Sequence, residues 1–361
     1  YGDLRDLPSF PTRRSSDLII LISVLSVIPL LAYNLILDPF SVLRKDYDSM
    51  WICPNERFVK TDYILGNPEK YDSFLFGSSR VSQIPVRPLN RATGGRFYNM
   101  AVVSGVAADS LAAIKLFLKN GVSIKNVVLG LDYFSFQMLP LENLVRNTVY
   151  PETCEEKAKF YYTFLTLQPD SGMLDEIRFD GKDVAYDLLG TGEYDFLKKE
   201  RDLVLHPDEH NRKFMQPVFT ICRRRMDTTL AEIREIVDIC RSNSIRLTVF
   251  MNPCHASSYL CDDIAFMNEA RARLAGLTDF WDFSAPSPIT EDNFSYIDII
   301  HYRKKVGYML VERMFGMKGA APADFGTLVT RANAAAYLKK VERGYHADKK
   351  RLNPNCPPCV K

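Results

Sequence analysis

The sequence predicts an α/β fold: a doubly wound parallel sheet in three layers, with one N-terminal transmembrane helix and an inserted helical subdomain. Three observations lead there. Short apolar strands alternate with amphipathic helices between residues 71 and 316, and such alternation favours a parallel sheet covered on both faces. An uncharged apolar run precedes that region. The alternation lapses over residues 140–225, where charged and aromatic residues show no clear strand.

The elements follow in chain order. Residues 1–18 read YGDLRDLPSFPTRRSSDL without an initiator Met. Ser9 to Leu18 matches a translated sequencing adapter, so this stretch is expected to be an assembly artefact and stands outside the fold. The alternative is a genuine basic region carrying Arg13 and Arg14. Leu18 to Leu37, LIILISVLSVIPLLAYNLIL, carries no charge. About 20 apolar residues span a bilayer as a helix, and Pro29 is tolerable there. The alternative is a signal peptide, but its apolar core is shorter, about 7–15 residues. Residues 38–70 are expected to be a lead-in.

Strands are expected at Tyr71–Phe76, Phe97–Ala101, Asn126–Leu131, Ile245–Met251 and Phe280–Phe283. A helix from Asp109 to Lys119 aligns Leu111, Ile114 and Leu118, with Gly121 ending it. Asp227 is expected to cap a helix whose buried stripe is Leu230, Ile233, Val237 and Cys240. A last helix, His301 to Phe315, turns Val306, Leu310 and Met314 inward. From Met317 the Ala- and Lys-rich tail is expected to be peripheral.

Composition narrows the function. Of 361 residues 47% are hydrophobic and 25% charged, which excludes a wholly disordered or collagen-like chain. The net charge of +2 gives no electrostatic reason to expect a nucleic-acid partner. Eight cysteines are too few for a disulfide scaffold. With five histidines, any imidazole chemistry must use His206, His210, His255, His301 or His346.

In parallel sheets the site lies at the carboxyl ends of the strands. Strand one ends Gly77-Ser78-Ser79-Arg80, and the loop after strand five holds Asp298-Ile-Ile-His301. An imidazole in reach of a serine can take its proton, and a carboxylate can hold that imidazole in the required tautomer. The plainer reading is that Ser79 and His301 each cap a helix.

These residues resemble the SGNH (GDSL-like) hydrolase superfamily, in the membrane-anchored branch that includes the D-alanyl-lipoteichoic acid transfer protein. The resemblance covers about residues 70–315, interrupted by the insertion, and implies the flavodoxin-like strand order. It makes Ser79 the nucleophile, His301 the base and Asp298 its orienting carboxylate. It makes Gly105, in Asn99-Met-Ala-Val-Val-Ser-Gly105, an oxyanion donor through its N–H. One block departs: where the family has Gly-x-Asn-Asp this chain has Gly130-Leu-Asp132-Tyr133, and an ionised Asp132 only accepts hydrogen bonds. Strands one and three are neighbours in that order, so Arg80 and Asp132 are expected to meet as an ion pair. Arg80 then partly replaces the missing amide donor; the alternative is an Arg80 that points to solvent.

The resemblance implies an extracytoplasmic serine esterase or acyltransferase acting on envelope or exported polysaccharide, without metal or organic cofactor. The rival is a catalytically degenerate scaffold or glycan-binding partner of a membrane-bound acyltransferase. Weaker signals remain. His255, just past strand four, is a candidate substrate contact or a structural loop residue. His206-Pro-Asp-Glu-His210 has metal-ligand spacing but is expected to form a turn. Cys356-Pro-Pro-Cys359 has redox spacing in a Pro-rich tail. Cys254 and Cys261 are close enough in sequence to pair in an oxidising compartment.

Overall fold

The computed structural model describes residues 13–45, 54–137, 148–168, 185–215 and 225–352. Residues 1–12, the Cys356-Pro-Pro-Cys359 motif and residues 138–147, 169–184 and 216–224 of the insertion lie outside them. The chain divides into two units: Tyr1–Asn55 with Pro151–Phe179, and Glu56–Tyr150 with Asp180–Lys361.

In the first unit the helix Arg13–Leu37 contains the expected apolar run. Its segment Ser16–Leu37 is long and apolar enough to cross a membrane. Near the C-terminal end of the run, the Asn34 amide donates to the carbonyls of Leu165 and Leu167 at 2.9 and 2.8 Å. Phe40 meets Phe164 edge-on, with ring centroids 5.8 Å apart. Phe164 sits on the helix Cys154–Leu165, which a Thr153–Glu156 capping box opens. The insertion was expected as one subdomain. It is instead split, because Phe160 and Phe164 find their apolar cover in the N-terminal unit.

The second unit is built on a mixed, mostly parallel sheet. Its strands are β1 (Ser73–Phe76), β2 (Phe97–Asn99), β3 (Asn126–Leu131), β6 (Arg246–Met251), β7 (Phe280–Asp282) and β8 (Thr327–Val329); β4 (Ala185–Tyr186) and β5 (Tyr194–Asp195) form a separate hairpin. The order is β2-β1-β3-β6-β7-β8, with only β8 antiparallel. Successive residues of a strand face opposite sides, so each strand feeds two cores. Phe74, Phe76, Val127, Leu129, Val249 and Met251 pack on Ile114 and Phe117 of the helix Ala107–Lys119 and on Ile233 and Ile236 of Met226–Ser242. Leu75, Val128 and Phe250 pack on Leu89 of Val86–Thr93 and on Val306 and Leu310 of Lys304–Phe315. Each such buried side chain contributes about 1.5–3 kcal/mol relative to leaving it exposed. This two-sided demand is why the strands carry continuous apolar runs rather than alternation.

All five expected strands form. Gly121 follows the helix Ala107–Lys119 at φ +76°, the left-handed turn that ends it. Four expectations need correction. Asp227 does not cap its helix: the cap position is Arg225, and Asp227 instead reaches Arg273 at 2.6 Å. The helix expected from His301 starts at Lys304. The tail is not peripheral: β8 pairs with β7, and the helix Ala334–Leu352 buries Tyr337, Val341 and Tyr345 in the first core. The lead-in contains the helix Glu56–Gly66, with Phe58, Val59 and Ile64 buried.

Candidate active site

The turn after β1 needs glycine. Gly77 has φ +152°, and a Cβ there would stand 2.4 Å from Val81 Cγ2 and 2.8 Å from the Gly130 carbonyl. This close approach lets the chain leave the sheet at once and lift Ser79 above the strand ends. A single 3₁₀ turn, Val81–Gln83, follows, and the helix begins only at Val86. Ser79 therefore caps no helix.

Its Oγ lies 2.9 Å from His301 Nε2. His301 Nδ1 lies 2.9 and 3.0 Å from the two carboxylate oxygens of Asp298. Asp298 also accepts the backbone N–H groups of Ile300 and His301, at 3.1 and 2.9 Å, which closes the loop around the pair. His301 caps nothing either, since Arg303 precedes the helix. The three side chains expected from two distant motifs thus form one hydrogen-bonded chain, half-buried and open to solvent. Burial raises the proton affinity of Asp298. The hydrogen bond from His301 and the charges of His301 and Lys199 outweigh it, and hold the carboxyl well below the usual carboxylate range.

Arg80 and Asp132 meet as expected. Arg80 is nine-tenths buried, with Nη1 2.9 Å from Asp132 Oδ1. The contact is not aligned as a hydrogen bond, and Arg80 Nε has no hydrogen-bond partner among the described residues. Ser78 Oγ donates to the other oxygen of Asp132 at 2.6 Å. The guanidinium lies over the Phe134 ring, 5.4 Å from its centroid. The two adjacent serines are thereby separated in role: Ser78 serves Asp132, and Ser79 faces the imidazole.

The remaining expected site residues do not all act as foreseen. The Gly105 N–H is not free: it donates to the Val102 carbonyl at 3.0 Å, closing a turn through Ser104 at φ +52°. Gly105 is needed for space, because a Cβ would stand 2.6 Å from the Gly77 carbonyl. The Ser79 N–H makes no hydrogen bond among the described residues. Asn99 is fully committed to shaping the site. Its amide donates to the Val81 and Ile84 carbonyls at 3.1 and 3.3 Å, and its oxygen accepts from Ala101 N at 2.9 Å.

His255 is placed as a structural loop residue rather than at an open edge of the site. It is buried against Phe214 and Tyr296, and its Nδ1 lies 2.9 Å from Ser257 Oγ. Burial lowers its pKa to about 4, so it stays neutral. His210 lies on a short helix, Pro207–Lys213, rather than a turn, and its Nε2 pairs with the Asn293 carbonyl at 2.8 Å. Cys254 is free and buried, its thiol pushed up to about 12 by burial. It does not pair with Cys261, which is itself disulfide-bonded.

Several site residues escaped the sequence reading. Lys199, on the helix Leu197–Leu205, stands 3.2 Å from Asp298 Oδ2. Phe196 packs edge-on against the His301 ring at 5.4 Å, and the Tyr194 hydroxyl reaches the Ser79 carbonyl at 3.4 Å. The fully buried Lys60 donates to the carbonyls of Asn99, Ala101 and Gly192 at 3.1, 2.7 and 2.8 Å, fastening the loop after β2 to the β4–β5 hairpin. Burial lowers its pKa to about 8, against the raising effect of Glu56 and Glu193. A lysine three residues before a tyrosine carries no motif, so only its apolar neighbours Phe58, Val59 and Ile64 hinted that it is enclosed. No family model matches the chain, and no curated protein sequence matches it.

Proposed function

We propose that this chain is a membrane-anchored serine esterase or acyltransferase of the SGNH type. It acts outside the cytoplasm on ester-linked acyl groups of envelope or exported polysaccharide. The observation that carries the reading is the Ser79–His301–Asp298 chain, with its two contacts at 2.9 Å. The parallel strand order β2-β1-β3-β6-β7 supports the flavodoxin-like arrangement of that family. The apolar N-terminal helix and the disulfide at Cys261 support an oxidising compartment beyond a membrane.

The chemistry follows from the geometry. Ser79 Oγ attacks the ester carbonyl carbon while His301 Nε2 takes its proton. Asp298 holds the Nδ1 proton and stabilises the imidazolium. The carbonyl electron pair moves to oxygen, where the unpaired Ser79 N–H is the available backbone donor. Collapse expels the alkoxide, which takes the proton from His301 and leaves the acyl group on Ser79. Water or a sugar hydroxyl then attacks the acyl-enzyme, gives its proton to His301, and restores Ser79. With the Gly105 N–H engaged and Asp132 acceptor-only, Arg80 supplies the positive charge that helps stabilise the oxyanion. Such preorganised donors typically contribute about 10²–10³ in kcat.

A second reading draws on that same engaged Gly105 N–H and on Asp132. On this reading the chain is a scaffold or glycan-binding partner of a membrane-bound acyltransferase, with a degenerate site. A fluorophosphonate probe separates the two. Covalent labelling that disappears in Ser79→Ala supports the enzyme; an unlabelled chain that still binds acylated polysaccharide supports the scaffold. Alkaline phosphatase fused to the C-terminus is expected to be active, and activity of a cytoplasmic reporter alone would remove the envelope assignment.

A further inference from the structure

The hairpin that walls the triad has a second face. Tyr194 and Phe196 turn toward Ser79 and His301. Glu193 and Asp195 grip Lys304 instead, at 3.0 and 2.8 Å, as the alternation of an extended strand dictates. On that side lies a cleft of about 340 Å³ lined by Arg87, Tyr186, Asp187, Asp195, Lys304 and Tyr308, among others. This volume falls within the usual range of small-ligand sites, roughly 300–1,000 Å³. The helix Lys304–Phe315 joins cleft to triad: Lys304 is three residues from His301, no more than about 10 Å of chain.

The lining chemistry selects among ligands. Lys304 is neutralised by its two carboxylates. Asp187 accepts the backbone N–H and the hydroxyl of Thr191 at 3.0 and 2.7 Å. The carboxylates are thus tied to the protein, which disfavours a bound cation. Three carboxylates against two cationic side chains leave no positive field to draw an anion. What stays open is a set of donors and acceptors beside aromatic surface. Arg87 is exposed and makes no ion pair among the described residues. Tyr308 is 41% exposed. A sugar ring answers both, with an apolar face for tyrosine and hydroxyls that donate and accept at once.

We propose that this cleft is a saccharide subsite, holding an uncharged sugar residue of the acyl-bearing polymer beside the triad. The proposal rests on the esterase reading for its role, and on the cleft's own chemistry for its ligand.

The test uses the full chain in detergent. Calorimetric titration of Ser79→Ala with cellopentaose and penta-N-acetylchitopentaose is expected to show binding to at least one, and none to oligogalacturonate. Adding Arg87→Ala or Tyr308→Ala is expected to weaken that binding about tenfold each, the size of one charge-assisted hydrogen bond for Arg87 and of one aromatic contact for Tyr308. In the Ser79 protein the same two substitutions are expected to lower kcat/KM on the acetylated form of the bound oligosaccharide, relative to p-nitrophenyl acetate, by a similar factor carried mainly in KM. No binding of either neutral oligosaccharide, preference for oligogalacturonate, or an unmoved specificity ratio overturns the subsite. Saccharide binding that depends on Tyr308, without turnover of either ester, removes the esterase reading and leaves the subsite standing.

Discussion

Two buried arginine–aspartate pairs stand at the carboxyl ends of this sheet, and they are finished to different degrees. Arg271, fully buried, donates from Nε to Asp282 at 2.6 Å, from Nη1 to Asn268 at 3.0 Å, and from Nη2 to Tyr259 and Ser284 at 3.0 Å each. Ser284 returns to Asp282 and lies 2.9 Å from the Tyr133 hydroxyl. Arg80 and Asp132, beside Ser79, are joined by one misaligned contact between Nη1 and Oδ1, and Arg80 Nε has no hydrogen-bond partner among the described residues. A buried ion pair is tolerable when its remaining hydrogen-bonding groups are satisfied, and costly otherwise. The complete network holds the β7 end to the helix Ile264–Ala275. The incomplete one retains donor capacity next to Ser79, the proposed nucleophile, where unspent hydrogen bonds can serve chemistry.

The largest expected effects test whether the incomplete pair stands at a catalytic centre at all. Ser79→Ala and His301→Ala should each lower ester hydrolysis by about 10³-fold or more, and the double variant should be little worse, because the groups act as a unit. Ser78→Ala should be much milder, since it removes one donor to Asp132 rather than the nucleophile. Steady-state turnover of p-nitrophenyl acetate measures all four. If Ser78→Ala proves the more damaging substitution, the nucleophile moves by one residue.

Next comes stability, where the order of the two pairs should reverse. Arg271→Ala strands a buried Asp282 and should cost about 3–5 kcal/mol. Urea denaturation should show a smaller loss for Arg80→Ala, which also strands a buried aspartate but removes one misaligned contact and leaves the Ser78 hydroxyl on Asp132. Equal losses would erase the contrast between a finished and an unfinished network.

Kinetics of the same Arg80→Ala variant sharpen the contrast from the other side. Its kcat should fall about 10- to 100-fold with KM little changed, if the guanidinium acts on the transition state. A pure rise in KM would instead make Arg80 a substrate-binding residue.

The smallest effect concerns Lys199. Asp298 stays ionised until the pH falls through its depressed pKa, well below the usual carboxylate range. The acid limb of the activity profile is therefore not set by Asp298 losing its charge. Lys199, 3.2 Å from Asp298, opposes the imidazolium. Lys199→Met should move that limb to higher pH by a few tenths of a unit, small because the lysine is about half exposed and screened. Lys199→Arg should restore it, and high salt should shrink the difference. An acid limb that stays put in Lys199→Met would make the contact structural.

Local pattern alone determined much of this molecule. The apolar runs of β1, β3 and β6 and the Leu, Ile and Val stripes of the helices are periodic signals, and periodicity follows from backbone geometry within a few residues. The Gly-Ser-Ser and Asp-x-x-His motifs were legible for the same reason, since each is compact in sequence and its place at a strand end follows from the strand. The strand order that brings Arg80 to Asp132 was available through the resemblance, though not its incomplete hydrogen bonding. Only the tertiary structure decided the rest. That the tail adds β8, that Lys60 binds three carbonyls, and that Lys199 and Phe196 reach the triad depend on contacts between residues from about 40 to more than 130 positions apart. The donor state of Gly105 was decided there as well. Sequence places a glycine where an N–H is wanted, but the turn through Ser104 and the crowding at the Gly77 carbonyl settle which acceptor that N–H meets.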